Sequence, residues 1–437
     1  MKLNTLPINH LRAEDIGQFC FYMGTFFLAS ALPISGLFYL IAIIISCFIT
    51  KSTILKDKWS ISLFIISGLL IANTIRFNLI RLDDNLSSFD RSSSWLGLFN
   101  WLPLFLIFIF FQTYLKNKKQ RYLFAKLLIS GSVPVLISCA LQYWFNIYGP
   151  KEYLGGLIVW FNKPLLPGDG VSGLFSNQNY TGFWLSATMP LLVGITLKFK
   201  KINSKKIILF FIYLLSIYFL FLTGSRNAIS SFLISSLLIF GIKKIIGIIF
   251  LIILILFLLN AFNLYSILPL SIINLNNRLL TLKNLIFSFN KEKLMILINT
   301  NRVNLWINSI KLIIEKPIFG YGAATFPFYF KQLNIQHTHN IPIQIAYEYG
   351  ILISLLLTTF VGFLFYKSYL KIYNSEKDGS LNFLDKCWLI SFLIIIMNHI
   401  TDITYFDGKI SIFIWVLLAG VKAINDDEKK KYIISKT

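Results

Sequence analysis

The 437-residue chain is 56% hydrophobic, only 14% charged, and has a mean hydropathy of +0.69. That composition excludes a soluble globular protein of 50.4 kDa, which would lack the polar surface to cover itself. The net charge of +22 falls in short basic clusters between apolar runs, a pattern that marks membrane topology rather than nucleic-acid binding.

Taken in chain order, the apolar runs predict an all-α fold, a polytopic membrane helix bundle of about 12 transmembrane helices. They lie near 17–33, 34–50, 59–79, 95–115, 123–145, 178–197, 207–222, 227–242, 245–266, 345–366, 386–404 and 410–423. Lys2 and Arg12 precede apolar segments without a small-residue cleavage site, so the first span is expected to stay as an anchor. With the N-terminus inside, the cytoplasmic segments are 1–16, 51–58, 116–126, 198–206, 243–244, 367–386 and 422–437. They hold 26 of the 41 Lys and Arg residues. Both termini are then cytoplasmic. Cys20, Cys47, Cys139 and Cys387 lie in or beside spans without metal-ligand spacing, and read as small apolar fillers rather than disulfide partners.

Two external segments are long, roughly 146–177 and 267–344. The second carries RVNLWINSIKLIIEKP at 302–317, where Val303, Trp306, Ile310 and Ile313 share one helical face. Asn304, Asn308, Lys311 and Glu315 share the other, and Pro317 ends the helix. Residues 1–437 thus read as a single transmembrane domain with an external helical loop at 267–344.

The rare polar groups collect on the outer side. Arg226 lies in LTGSRNAIS (222–230), a short external turn where Thr223, Gly224 and Ser225 offer capping chemistry and the next helix points its positive end outward. It is either an anion site or an arginine reaching to headgroups. Arg302 shares the face of Trp306 and Ile310, which calls for a phosphate or carboxylate partner unless it merely edges an apolar stripe. In QHTHNIPIQIAYEYG (336–350), Asn340 caps a helix and Pro342 fits its first turn. Asn340, Gln344 and Glu348 then form a polar stripe running into the membrane. His339 stands above it, beside His337, and an imidazole can take a proton near neutral pH; a capping or interface role is the plainer alternative. Asp402, in NHITDITYFDG (398–408), falls on the same side. Asp83–Asp84 and Asp426–Asp427 read as isolated, solvated acidic pairs. Nucleotide-binding glycine loops, Cys/His metal clusters and Gly-x-Ser-x-Gly elbows are missing from the sequence. The expectation is a base with two arginines, no metal and no cofactor, acting where a lipid phosphate or diphosphate leaves with negative charge.

These segments resemble the O-antigen ligase and O-antigen polymerase superfamily of bacterial inner-membrane glycosyltransferases, most strongly over 205–365. His339–Asn340, nine residues and Gly350 follow the ligase pattern, although Ile353 stands where Gly, Thr or Tyr is typical. Ser225–Arg226 matches the family's Ser-Arg turn, Arg302–Trp306 its Arg-x-x-x-Trp, and Pro317, Gly320 and Gly322 its Pro-x-x-Gly-x-Gly. Gly173 to Asn179 is similar to a Gly/Asn-rich stretch before a span, with Gln178 where proline is frequent.

The resemblance implies a metal-independent inverting transfer at a site facing the periplasm. In it Arg226 and Arg302 hold the diphosphate of an undecaprenyl-diphosphate-linked glycan, and His339 deprotonates the acceptor hydroxyl. Asp402 would orient a basic partner, with Asn340, His337 and Asn179 in support. The implied partners are the lipid-linked donor, a lipid-anchored or glycan acceptor and membrane lipids, without nucleic acid. Ligation to a lipid A core-type acceptor is the first reading, polymerisation of lipid-linked repeat units the second. A flippase of lipid-linked glycans and an inactive scaffold remain as readings of other classes.

Overall fold

Apolar runs become helices throughout the computed structural model, which describes residues 6–54, 56–80, 84–161, 163–166, 169–244, 247, 301–330 and 335–427. The first half gives α1 (Leu6–Phe27), α2 (Leu32–Ile54), α3 (Lys58–Leu79), α4 (Ser92–Leu96), α5 (Leu102–Phe111) and α6 (Lys118–Trp144). Next come α7 (Gln178–Thr196), α8 (Ser204–Leu222) and α9 (Arg226–Phe240). The remainder gives α10 (Asn301–Glu315), α11 (Phe326–Tyr329), α12 (Ile341–Tyr349), α13 (Ile351–Lys377), α14 (Phe383–Thr401) and α15 (Gly408–Asp426). Asx caps start several of them: Asp57 accepts from Ser60 N–H, Asn203 from Lys206 N–H, and Asn117 forms a reciprocal capping box with Gln120. A two-stranded antiparallel hairpin, β1 (Lys151–Tyr153) and β2 (Ile158–Trp160), adds the strand pairing that the all-α expectation did not include.

Eight described helical segments are long and apolar enough to cross a membrane. Three further predicted spans fall short of that for separate reasons. α1 carries Arg12, Glu14 and Asp15 in its first half, and α9 has only 15 residues. α7 contains Asn179, Thr181, Ser186 and Thr188, which suits its position: from Thr181 to Ile195 every residue is buried in protein. The predicted span at 245–266 lies, apart from Gly247, outside the described residues, as does 267–300 of the predicted external loop. The span predicted over 95–115 is not one helix either. It breaks between α4 and α5 at a 3-10 turn, Gly97–Asn100, with Pro103 in the first turn of α5.

Charge is sorted between the two ends of the bundle. At one end Arg121 of α6, fully buried, forks onto Asp385 of α14 at 2.8 and 3.0 Å and reaches Asp427 at 2.7 Å. Lys422 there contacts Asp57 at 3.3 Å and Asp426 at 2.8 Å. The Asp426–Asp427 pair is therefore not simply solvated, since each carboxylate answers a cation; Asp83 of the other acidic pair lies outside the described residues. α14 spans 19 residues, about 28 Å at 1.5 Å per residue, and ends at Thr401 on the opposite side of the bundle. All four cysteines are free thiols; Cys20, Cys139 and Cys387 are buried, whereas Cys47 is exposed.

The span predicted over 345–366 is two helices. α12 ends at Tyr349, and Gly350 takes φ +92 before α13 begins. A Cβ at Gly350 would overlap the Ile318 carbonyl, and its positive φ would strain any other residue. The break is secured by Ile351 N–H donating to the Pro317 carbonyl (2.8 Å) and Tyr321 N–H to the Tyr347 carbonyl (2.7 Å). Asn73 of α3 adds hydrogen bonds to the Phe319 and Tyr349 carbonyls at 3.0 and 2.8 Å. The polar stripe of Asn340, Gln344 and Glu348 accordingly stays on the short α12 and does not descend along a membrane-spanning helix.

α10 packs on α12 through Leu305 and Ile313, with Tyr321, Phe326, Ala346 and Tyr347 in the same cluster. Its buried face is turned from the predicted one. Ser309 is fully buried, its hydroxyl bonded to the Leu305 carbonyl at 2.7 Å, while Ile310 is exposed. Arg302 lies at the rim of that face, with its side chain 42% exposed.

Candidate functional site

Where α14 ends, Asp402 turns extended (φ −152, ψ 161) and aims a carboxylate into the loop that precedes α12. That carboxylate is only 9% exposed and collects three hydrogen-bond donors and an ion-pair partner. Its Oδ1 accepts from Ile403 N–H at 2.9 Å and from His339 Nδ1 at 2.8 Å. Its Oδ2 accepts from Asn179 Nδ2 at 3.2 Å and lies 3.7 Å from Arg302 Nη2. The other arm of Arg302 donates to the Thr401 carbonyl. Burial pushes the Asp402 carboxyl up, but the His339 hydrogen bond and the Arg302 and His339 charges outweigh it and hold the group below the ordinary carboxylate range. Asp402 is thus an anion at neutral pH.

An ionised carboxylate can only accept, so His339 donates to it through Nδ1, and in the neutral imidazole the lone pair then lies on Nε2. The imidazole is 28% exposed. His339 adopts φ +57, a left-handed conformation uncommon outside glycine, and its N–H donates to His337 Nδ1 at 3.3 Å. Asn340 caps α12 by accepting from Ile343 N–H at 3.0 Å, and its amide also donates to the Ile400 carbonyl at 2.9 Å. The capping role read for Asn340 from sequence is present, and with it a tie to the end of α14.

The two neighbouring rings of His337 and His339 are 4.4 Å apart. Burial, reinforced by the charges of His339 and Arg302 and opposed by Asp402, pulls the His337 imidazole down to about 4. A neutral ring agrees with the hydrogen bond it accepts. The consequence for stability has a definite sign. The unfolded chain protonates His337 near its ordinary value of about 6.5 and the folded chain only near 4, so this contribution is intact above about 6.5 and is lost as pH falls toward 4. Thermal melts of purified protein are expected to show a falling midpoint across that window, with a shallower fall in His337→Phe.

Arg226 is placed differently. It opens α9 on an exposed surface and makes no hydrogen bond or ion pair among the described residues. The expected cap is not formed either: Ser225 makes no side-chain cap, and the Thr223 hydroxyl accepts from Ser225 N–H (3.2 Å) while donating to the Leu220 carbonyl (2.7 Å). Its neighbour Asn227 nevertheless ties α9 to α14, donating to the Asn398 carbonyl at 3.1 Å, and Asn398 donates to Ser231 at 3.1 Å. Asn398 precedes Asp402 by one helical turn. The first turn of α9 therefore borders the cluster of Asp402, His339, Arg302 and Asn179.

Sequence reasoning passed over several groups that build this cluster. The Thr401 carbonyl takes up Arg302, and the Thr338 carbonyl accepts from Trp306 Nε1 at 2.8 Å. Backbone acceptors leave no signal in residue type. His399 was equally unmarked, and its role is internal: Nδ1 donates to the Ile395 carbonyl at 2.8 Å, and Nε2 accepts from the Thr404 hydroxyl at 3.3 Å.

Residues 211–382 match the family model described as O-antigen ligase. The matched segment includes Arg226, Arg302, His337, His339 and Asn340, and stops short of Asp402. No curated protein matches the chain.

Proposed function

We propose, from the likeness of residues 211–382 to the O-antigen ligase family model, that this chain is a glycosyltransferase moving a glycan from undecaprenyl diphosphate to an acceptor hydroxyl on the outer face of the inner membrane. The observation that carries the reading is the contact of His339 Nδ1 with Asp402, which directs Nε2 away from that carboxylate, with Arg302 on the same carboxylate. The hydroxyl oxygen attacks the anomeric carbon as its proton passes to Nε2. The bond from that carbon to the phosphate oxygen breaks, and the diphosphate leaves with the electron pair. A single displacement of this kind inverts the anomeric centre. Arg302 and Arg226 stabilise the charge that develops on the diphosphate. Once transfer is complete, the protonated imidazole is stabilised by the Asp402 carboxylate until it releases its proton.

The same site serves ligation to a lipid A core-type acceptor or addition to a second lipid-linked repeat unit, because the two reactions share a donor. Ligation is favoured by the His339–Asn340…Gly350 pattern. Purified protein given the lipid-linked donor with each acceptor in turn decides between them: elongated lipid-linked chains in the absence of core acceptor overturn ligation. A transporter would spread its charges along a pathway at several depths, whereas His339, Arg302, Asp402 and Arg226 collect at one end of the bundle.

The arginines make a separate expectation. Arg226→Gln and Arg302→Gln are each expected to raise the donor KM about tenfold, the effect of one charge-assisted contact to a phosphate. Arg302→Gln alone should also lower kcat, since it alone touches Asp402. Unchanged donor affinity in both variants removes the diphosphate role.

A further inference from the structure

Glu348, near the end of α12, is only 6% exposed, and it makes no ion pair among the described residues. Its Oε1 accepts from Gln344 Nε2 at 2.9 Å, and Gln344 is itself 3% exposed. An amide side chain can present either its oxygen or its nitrogen to a neighbour. With Nε2 committed to the carboxylate, Gln344 must turn Oε1 to the Thr338 N–H, 2.9 Å away.

Thr338 is fully buried, and each of its polar groups is engaged. Its hydroxyl donates to the Asn340 carbonyl (2.7 Å) and accepts from Asn340 N–H (3.2 Å), while its carbonyl accepts from Trp306 of α10. The next residue is His339, in a left-handed conformation that non-glycine residues keep only where their surroundings hold it. Trp306 grips the peptide between Thr338 and His339 from the helix that carries Arg302, and Gln344 grips the peptide before it from α12.

We propose that Glu348 is a positioning residue for the transfer: by fixing the Gln344 amide, and through it the Thr338 backbone, it holds the His339 imidazole in line with Asp402. The proposal rests on the reading of His339 as the base. Glu348 also supports the turn at Gly322–Ala324, through its own carbonyl, which accepts from Gly322 N–H at 2.9 Å, and through its carboxylate against the Ala324 backbone. The test must therefore separate positioning from support of that turn.

Three variants of the full chain in detergent do so. Glu348→Gln keeps an oxygen that accepts from Gln344, and its kcat is expected within threefold of wild type. Glu348→Leu removes that acceptor. Gln344→Met removes the bond to Thr338 while leaving Glu348 and its turn intact, which keeps the test available should Glu348→Leu fail to fold. Both of these should lower kcat about 10- to 100-fold, the effect of a misplaced base, with donor KM within twofold of wild type.

A second readout does not depend on activity. The chain has four histidines, so imidazole 15N labelling gives a spectrum in which the Nδ1 proton shared with Asp402 is identified by its loss in Asp402→Asn. That resonance is expected to persist in Glu348→Gln and to disappear in Gln344→Met. Its persistence in Gln344→Met, or a kcat in Glu348→Gln as low as in Glu348→Leu, overturns the proposal. Because the resonance reports the position of His339 whether or not glycan is transferred, failure of the positioning and failure of the glycosyltransferase reading give different results.

Discussion

His339→Ala is expected to lower the glycan transfer rate by about a thousandfold, within the range that general-base catalysis contributes. The loss should fall on kcat. The arginines assigned to the diphosphate are untouched, and Arg302 keeps both its Thr401 carbonyl and its Asp402 partner. Donor binding, read by retention of labelled lipid-linked glycan on immobilised protein, should stay within twofold. Neither neighbouring histidine stands ready as a second base. His337 accepts a backbone hydrogen bond through Nδ1 and is pulled down to about 4, too weak a base to replace its neighbour. His399 has both ring nitrogens committed inside the bundle. Residual activity above a tenth of wild type would move the proton transfer to another group.

Asp402→Asn should be nearly as damaging, about a hundredfold or more in kcat, although it changes little in shape. Within the cluster an asparagine amide can turn its nitrogen toward His339 Nδ1, which then has to accept. The ring proton moves to Nε2, the atom that must be bare to receive the acceptor's proton. The same change removes the anion that stabilises the imidazolium and leaves Arg302, 3.7 Å from Oδ2, without its carboxylate. Asp402→Ala leaves the tautomer unfixed but does not force the wrong one, so its kcat should lie above that of Asp402→Asn. Equal rates in the two variants would show that the ring proton's position is immaterial. A pH–rate profile adds a check: in wild type Asp402 is held below the ordinary carboxylate range, so its own protonation should leave no limb near neutrality.

Much of the site was legible because polar groups are costly in a greasy chain. His339, Arg302, Arg226 and Asp402 attract notice in sequence by being the wrong residue types for their surroundings, and three of the four meet in one cluster. What sequence did not hold was set by contacts between distant segments. Hydropathy runs unbroken across 345–366, so the helix break at Gly350 is visible only once the Pro317 and Ile318 carbonyls are packed against it. The buried face of α10 was misplaced by trusting residue type: Ser309 is polar, yet its hydroxyl is satisfied within its own helix and it goes inside, while Ile310 faces out. Asp426 and Asp427 looked solvated because their cations come from Lys422 and from Arg121, the latter hundreds of positions away. Arg226 matches the Ser-Arg turn, and its place beside the cluster follows from the tie of its neighbour Asn227 to Asn398.

α14 is clamped at both ends, by Arg121 on Asp385 and by His339 and Asn179 on Asp402. A helix advances about 100° per residue, so it cannot twist by even one position without surrendering both attachments together. α14 is therefore the stator of the molecule. Whatever yields in this bundle must be sought among the parts that lean on this axle, and the aim of the Asp402 carboxylate is calibrated from the far side of the bundle by Arg121.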